Sequence, residues 1–177
     1  MAPDGEWIWG ALALGEASLL ADAYVDHFDW NGTHDVYGTP LIAVILGIGT
    51  SRDLVYDRGE RAQERLRLLK MVLEKGGNPN TKPPSKFHRG TRWFGLDSNG
   101  EQIEETKSES VKFAGKSALE VIVAIMNALR KPKGDWSLAL QNLRNAAKIL
   151  ASYRPYKGGV QRVPVALGVV EMWERIL

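Results

Sequence analysis

The sequence predicts a mostly α-helical domain built from helix-turn-helix units. The hydroxyl of Thr39 can cap the free N–H groups at the start of a helix. Pro40 follows and suits the first helical position, because the N–H that proline lacks would be unpaired there anyway. An apolar run follows, and residues 66–75 then carry apolar side chains at helical spacing. Gly76 and Gly77 can end this second helix in a left-handed conformation. The unit is therefore helix, turn, helix and glycine stop.

The same order of elements recurs at a period of about 33 residues, which indicates a helical repeat protein. Glu6 stands one period before Thr39, and residues 7–15 have the pattern of a first helix with its turn glycine. Residues 19–25 have the pattern of that unit's second helix. We therefore expect an N-terminal unit in which Glu6 and Trp7 replace threonine and proline.

Two further units are expected towards the C-terminus. A third begins at Gly115, where Ser117 takes the capping position, and its second helix is expected over residues 137–153. A partial fourth unit begins at Val163. Atypical terminal units are what a stack of repeats needs for capping.

These residues resemble the ankyrin repeat family, whose units read Thr-Pro-Leu at the first helix and Leu-Leu-Glu-x-Gly-Ala-Asp-x-Asn at the end of the second. The first signature is matched by Thr39, Pro40 and Leu41, and the second by Leu73, Glu74, Gly76, Asn78 and Asn80. The family's histidine after Thr-Pro-Leu is replaced by Ile42, Glu120 and Ala166. The resemblance implies one mostly α, ankyrin-like repeat solenoid over residues 1–177, with units at about 5–37, 38–80, 115–161 and 162–177.

Two segments interrupt the period. Residues 47–64 are longer than the turn between the helices of a unit, and residues 81–114, here called the insertion, separate the second and third units. Within the insertion, Asn99-Gly100 is a strong turn signal because both residues tolerate positive φ. We expect a projecting β-hairpin with arms at residues 91–96 and 102–106.

The predicted function is that of a non-catalytic protein–protein interaction module, acting as an adaptor or as a structural subunit of a larger assembly. The resemblance implies binding through the tips between units and through the concave helical face. The residues expected to contact a partner are Trp30, His34, Tyr37, Phe87, His88, Arg89, Arg92, Trp93 and Phe94. The insertion is where this chain departs from the repeat, so we expect its own specificity to reside there.

The alternative function is that of an accessory protein that contacts nucleic acid through residues 82–94. Basic residues in this segment can neutralise phosphates, and Trp93 and Phe94 can stack on unpaired bases. Acidic residues such as Glu104 on the opposite arm can instead pair with the basic arm. This segregation of charge favours a protein partner.

We predict no catalytic residue, no cofactor and no metal site. The chain has no cysteine, which excludes disulfides and thiolate catalysis. His27 and His34 lie near several carboxylates, and a buried pocket lined by them would favour an enzyme. In the repeat register, however, they fall at a helix end and an exposed tip.

The N-terminal segment lacks the charge and apolar run of a signal peptide, and no apolar stretch approaches the ~20 residues that span a bilayer. We therefore expect a soluble intracellular protein of the cytoplasm without membrane insertion; an organelle reached through a removed precursor segment stays open. Trp7 and Trp9 are about 200° apart on a helix, so one of them should be partly exposed.

Overall fold

The structure is a computed structural model that describes residues 5–16, 20, 27–48, 60–84, 90–91, 95–96, 102–103, 111–112, 114–129, 137–156 and 159–162. Its helices are α1 (Glu6–Leu14), α2 (Pro40–Gly47), α3 (Glu60–Glu74), α4 (Ala118–Leu129) and α5 (Ser137–Ala151). Its strands are β1 (Gly90–Thr91), β2 (Gly95–Leu96), β3 (Gln102–Ile103), β4 (Val111–Lys112), β5 (Tyr153–Tyr156) and β6 (Gly159–Arg162). The prediction of a mostly helical fold is confirmed for the described residues. The predicted helix at residues 19–25 and the partial fourth unit from Val163 lie outside the described residues, apart from Leu20.

The predicted start of α2 and the predicted end of α1 are confirmed, whereas α1 begins one residue earlier than predicted, at Glu6 after Gly5. The hydroxyl of Thr39 accepts a hydrogen bond from the N–H of Ile42 at 3.2 Å, and Pro40 occupies the first helical position. At the end of α1, Gly15 has a φ of 78° and its N–H donates to the carbonyl of Leu12. Only glycine adopts this left-handed conformation without steric cost, so Gly15 fixes the end of α1.

Helix α3 confirms the predicted glycine stop but begins earlier than predicted. Gly76 has a φ of 100°, and the N–H of Gly77 donates to the carbonyl of Val72 at 2.9 Å. The helix starts at Glu60, so the predicted loop over residues 47–64 was too long. The buried face of α3 begins at Ala62 and includes Arg65 and Leu66.

Helix α4 begins with a reciprocal cap. The carboxylate of Glu120 accepts the N–H of Ser117 at 2.6 Å, and the hydroxyl of Ser117 accepts the N–H of Glu120 at 3.4 Å. Lys82 approaches the same carboxylate at 3.1 Å. Two free N–H groups of α4 are thus satisfied, and the start of the insertion is tied to the first turn of α4.

Helix α2 lies at the centre of the core. It packs against α1, α3 and α4, and α5 packs against α3 and α4. Every residue of α2 except Leu46 is buried. Burial of one leucine or isoleucine side chain stabilises a fold by about 1.5–3 kcal/mol, so α2 contributes strongly to stability. It also follows that α2 offers almost no surface to a partner.

The strands form three antiparallel pairs: β1 with β4, β2 with β3, and β5 with β6. Gly95 lies opposite Ile103, and Leu96 lies opposite Gln102, as expected for the arms of the predicted hairpin. Residues 97–100, where its turn was placed, lie outside the described residues, so the projecting hairpin stays a prediction. Where the insertion leaves and rejoins the helices, the N–H of Gly115 donates to the carbonyl of Pro83 at 2.8 Å.

Among the described residues, no helix has the length and apolar character needed to cross a bilayer.

Candidate partner-binding surface

Residues 34–38, here called the first tip, form a tight turn between α1 and α2. The N–H of His34 donates to the carbonyl of Gly38 at 2.7 Å, and the N–H of Gly38 donates back to the carbonyl of His34 at 2.9 Å. A further bond runs from the N–H of Val36 to Nδ1 of His34 at 3.0 Å. The three bonds hold the turn in one conformation.

An aromatic cluster of Trp9, Phe28, Trp30, His34 and Tyr37 supports the first tip. The ring of Trp9 lies 5.3 Å from Phe28, 5.2 Å from His34 and 6.5 Å from Tyr37, measured between ring centroids. Phe28 also meets Trp30 edge to face at 4.8 Å. Such pairs each contribute about 0.5–1.5 kcal/mol beyond area burial, so the tip is anchored to α1 by its rings.

Of the three predicted partner contacts in this region, the structure leaves two accessible. His34 and Tyr37 are half-buried at the tip, and the imidazole Nε2 of His34 lies 3.1 Å from the carboxylate of Glu6. Trp30 is only 7% exposed and belongs to the hydrophobic core. The prediction that Trp30 contacts a partner is therefore corrected, because its ring supports Phe28 instead of forming a surface.

The other predicted contacts are Phe87, His88, Arg89, Arg92, Trp93 and Phe94, and all of them lie outside the described residues. The structure does describe both ends of their segment. The bond between Pro83 and Gly115 places those ends side by side, directly before α4. The insertion therefore begins and ends at the same point, beside the start of α4.

Sequence reasoning missed the residue that joins the first two units. The side-chain amide of Asn31 donates to the carbonyl of Gly76 at 3.0 Å, and its oxygen accepts the N–H of Asn78 at 2.7 Å. The ends of the first and second units also contain similar local turns. In the first, the carboxylate of Asp29 accepts the N–H of Asn31, and in the second, the side-chain oxygen of Asn78 accepts the N–H of Asn80. The matching Asp-x-Asn and Asn-x-Asn patterns were the available signal for this junction.

Arg65 is a second residue that sequence reasoning missed. It is 5% exposed, and its guanidinium donates to the carbonyl of Ala13 near the end of α1 at 2.6 Å. A side chain at Gly47 would collide with this guanidinium. The C-terminal ends of helices carry partial negative charge, so a cation is stabilised there. The signal was an arginine on the buried stripe of α3, between Ala62 and Leu69.

The described residues give little support to a catalytic site. His27 is exposed beside Asp29, and His34 is engaged by Glu6, so neither lies in a buried pocket. No group of three or more histidine, aspartate or glutamate side chains in the described part of the chain is placed to hold a metal ion. The N–H of Ser117 and the ammonium of Lys82 hold the pKa of Glu120 below its ordinary value, which is the effect of a helix cap.

In comparisons with known proteins, no family model, no curated protein and no solved structure matches the chain.

Proposed function

We propose that this protein is a non-catalytic interaction module of ankyrin-like architecture that binds another protein through the first tip and the insertion. In this role it serves as an adaptor or as a structural subunit of a larger assembly in the cytoplasm. The observation that carries the proposal is the closure at Pro83 and Gly115, because it brings together the two ends of a segment of about thirty residues, a length that is usually functional in a compact domain.

The helix contacts support the repeat architecture. Helices α1, α2 and α4, the expected first helices of three units, contact one another in that order. Helices α3 and α5, the expected second helices, contact each other and their own first helices. This is the arrangement in which each unit buries its apolar stripe against its neighbours.

The position of the two excursions supports a shared binding edge. The first tip directly precedes α2, and the insertion directly precedes α4, which packs beside α2. The bonds from Asn31 to Gly76 and Asn78 hold the adjoining chain segments together. The first tip and the two ends of the insertion therefore lie beside neighbouring first helices, α2 and α4.

The nucleic-acid alternative is weakened by one contact. The ammonium of Lys82 lies 3.1 Å from the carboxylate of Glu120, so the first cation of the basic segment already has a counter-charge. The alternative predicts binding that falls steeply with salt. A mobility shift of single-stranded RNA at low salt that is lost in Arg92→Ala would favour it over a protein partner.

The closure suggests a direct test of the proposal. In a shortened variant, residues 85–113 are replaced by Asn-Gly, which can turn between ends that already adjoin. Tagged wild-type protein, the shortened variant and Trp93→Ala are expressed in the source cells and isolated under native conditions, and each assembly is weighed by native mass spectrometry. We expect the shortened variant to keep its helical circular dichroism and to lose the partner.

The matched control is Trp7→Ala, which removes a tryptophan that is 37% exposed on α1, in the first unit. It should retain the partner, whereas Trp93→Ala should reduce its recovery at least about tenfold, as expected for loss of an aromatic anchor. If a folded shortened variant retained the same partner in the same ratio, the insertion would have no part in binding.

A further inference from the structure

A cleft of about 450 Å³ opens beside the start of α1, between α1 and the segment that leads to the first tip. Trp9 and Phe28 line it, together with His27, Asp29 and two glycines. This volume lies within the range of ligand-binding clefts in proteins, about 300–1,000 Å³. We call it the N-terminal cleft.

The aromatic wall of the N-terminal cleft is held in place. Phe28 is half-buried and meets two rings edge to face, Trp9 at 5.3 Å and Trp30 at 4.8 Å. Because both of those tryptophans are 7% exposed and belong to the core, Phe28 is more open to solvent than either of them. The face of an aromatic ring attracts cations, and a fixed ring loses little entropy on binding.

The polar side of the cleft is an oriented carboxylate. Oδ1 of Asp29 accepts the N–H of Asn31 at 3.0 Å, while Oδ2 lies beside Gly32. A Cβ at Gly32 would come within 3.3 Å of that Oδ2, and a Cβ at Gly5 would come within 3.4 Å of the Phe28 ring. The two glycines therefore leave the carboxylate and the ring uncovered.

The charge of the first unit has the same sign as this carboxylate. Residues 1–51 contain no lysine or arginine, whereas they contain seven acidic residues: Asp4, Glu6, Glu16, Asp22, Asp26, Asp29 and Asp35. All 23 lysines and arginines follow residue 51, so the overall charge of +2 conceals an acidic first unit. A surface of one sign attracts partners of the opposite sign and speeds their association.

We propose that the N-terminal cleft binds an arginine or lysine side chain on a basic segment of a partner protein. The cation lies against the ring of Phe28 and pairs with Oδ2 of Asp29, and the acidic first unit attracts the flanking basic residues. The residues that line this site all belong to the first unit, so the proposal does not depend on whether the insertion binds a partner. Phosphate groups are repelled from it, which excludes nucleic acid as its occupant.

The test is an NMR titration of the full-length ¹⁵N-labelled chain with a capped Gly-Arg-Gly-Arg-Gly-Arg-Gly peptide. We expect the amide signals of Gly5 and Gly32 to shift progressively, with a dissociation constant that rises with salt. The corresponding glutamate peptide should cause no shift. Absence of cleft shifts at about 10 mM arginine peptide, beyond the millimolar range of weak binding, would overturn the proposal.

The decisive variant is Asp29→Asn, which removes charge while keeping the acceptor of the local turn. Asn78 already performs that task in the second unit, where its oxygen accepts the N–H of Asn80 at 2.9 Å. We expect Asp29→Asn to weaken peptide binding at least about fivefold, the effect of losing a partly desolvated charge pair. The matched control is Glu16→Gln, which makes the same charge change near the other end of α1 and should weaken binding less than about twofold.

Two further outcomes decide between occupants. Equal weakening by Asp29→Asn and Glu16→Gln would mean that the peptide is attracted by net charge alone and does not bind in the cleft, which would overturn the proposal. Cleft signals that shift with protein concentration in the absence of peptide, together with a doubled mass, would assign the cleft to a second copy of this chain and overturn the proposal. The shortened variant without residues 85–113 should bind the peptide as the wild type does, even if the insertion proves to have no partner.

Discussion

Replacing Asn31 with alanine is expected to lower the free energy of unfolding by about 1–2 kcal/mol. The substitution removes two hydrogen bonds between the first two units, to the carbonyl of Gly76 at 3.0 Å and from the N–H of Asn78 at 2.7 Å. Each such bond contributes about 0.5–1.5 kcal/mol net, which gives about 1–3 kcal/mol for the pair. Because Asn31 is exposed, water can replace the lost partners, and the lower part of that range applies.

The measurement is urea and thermal unfolding followed by far-ultraviolet circular dichroism. For a chain of this size, 1 kcal/mol corresponds to about 2–4 °C in Tm, so we expect a fall of about 2–8 °C. Asn80→Ala is the matched control. Asn80 is exposed near the same junction, and the bond it makes to Asn78 uses its backbone N–H, which alanine retains. Its effect should stay within about 0.5 kcal/mol.

A third variant tests the direction of the bonds. Asn31→Asp keeps the oxygen that accepts from Asn78 but replaces the donor with an oxygen that repels the carbonyl of Gly76. It should therefore destabilise at least as much as the loss of one bond, about 1 kcal/mol. If Asn31→Asp were as stable as the wild type, or if Asn31→Ala and Asn80→Ala had equal effects, the junction would not depend on this amide.

Three more perturbations follow from the described contacts. Arg65→Met should cost about 2–3 kcal/mol of unfolding free energy in urea titrations, because the carbonyl of Ala13 loses a charged donor inside the core; an unchanged midpoint would contradict this. Glu120 has a lowered pKa when folded, so its stabilising contribution is complete above the ordinary value of 4.5 and is lost as pH falls through the folded-state pKa. Comparing unfolding midpoints at pH 6 and pH 3 should therefore show a smaller loss in Glu120→Gln than in the wild type, and equal losses would remove the cap as the cause. Trp9→Ala should destabilise by about 3–5 kcal/mol, whereas Trp7→Ala should change stability by less than about 1 kcal/mol, since only Trp9 is buried; thermal scans of both variants give the comparison.

The features predicted correctly from sequence are those decided by neighbours along the chain. Thr39 and Pro40 specify the start of α2, and Gly15 and Gly76 specify helix ends, because caps involve residues within one turn of each other. The prediction that one of Trp7 and Trp9 is partly exposed is confirmed for the same reason, since helical rotation alone separates them; the structure shows that Trp7 is the exposed one.

The features that sequence reasoning missed depend on contacts between distant residues. Arg65 was given no role in the sequence analysis, yet it lies in α3 and reaches the carbonyl of Ala13 near the end of α1, 52 residues away. Its burial requires space that Gly15 and Gly47 leave by having no side chain. Trp30 was assigned to a partner surface because it stands near a tip. Its burial depends on its packing against Phe28, which a repeat register does not reveal.

The closure at Pro83 and Gly115 also bears on how this protein can change over generations. The entropy cost of a loop grows only with the logarithm of its length, so a segment whose ends already adjoin can lengthen or shorten at a cost of a few tenths to about 1 kcal/mol. If the insertion binds a partner as proposed, substitutions between residues 84 and 114 are selected mainly for binding, whereas substitutions in α2 are selected for packing. A new specificity can arise in the insertion while the helical core keeps its stability, and the same segment can be exchanged by design.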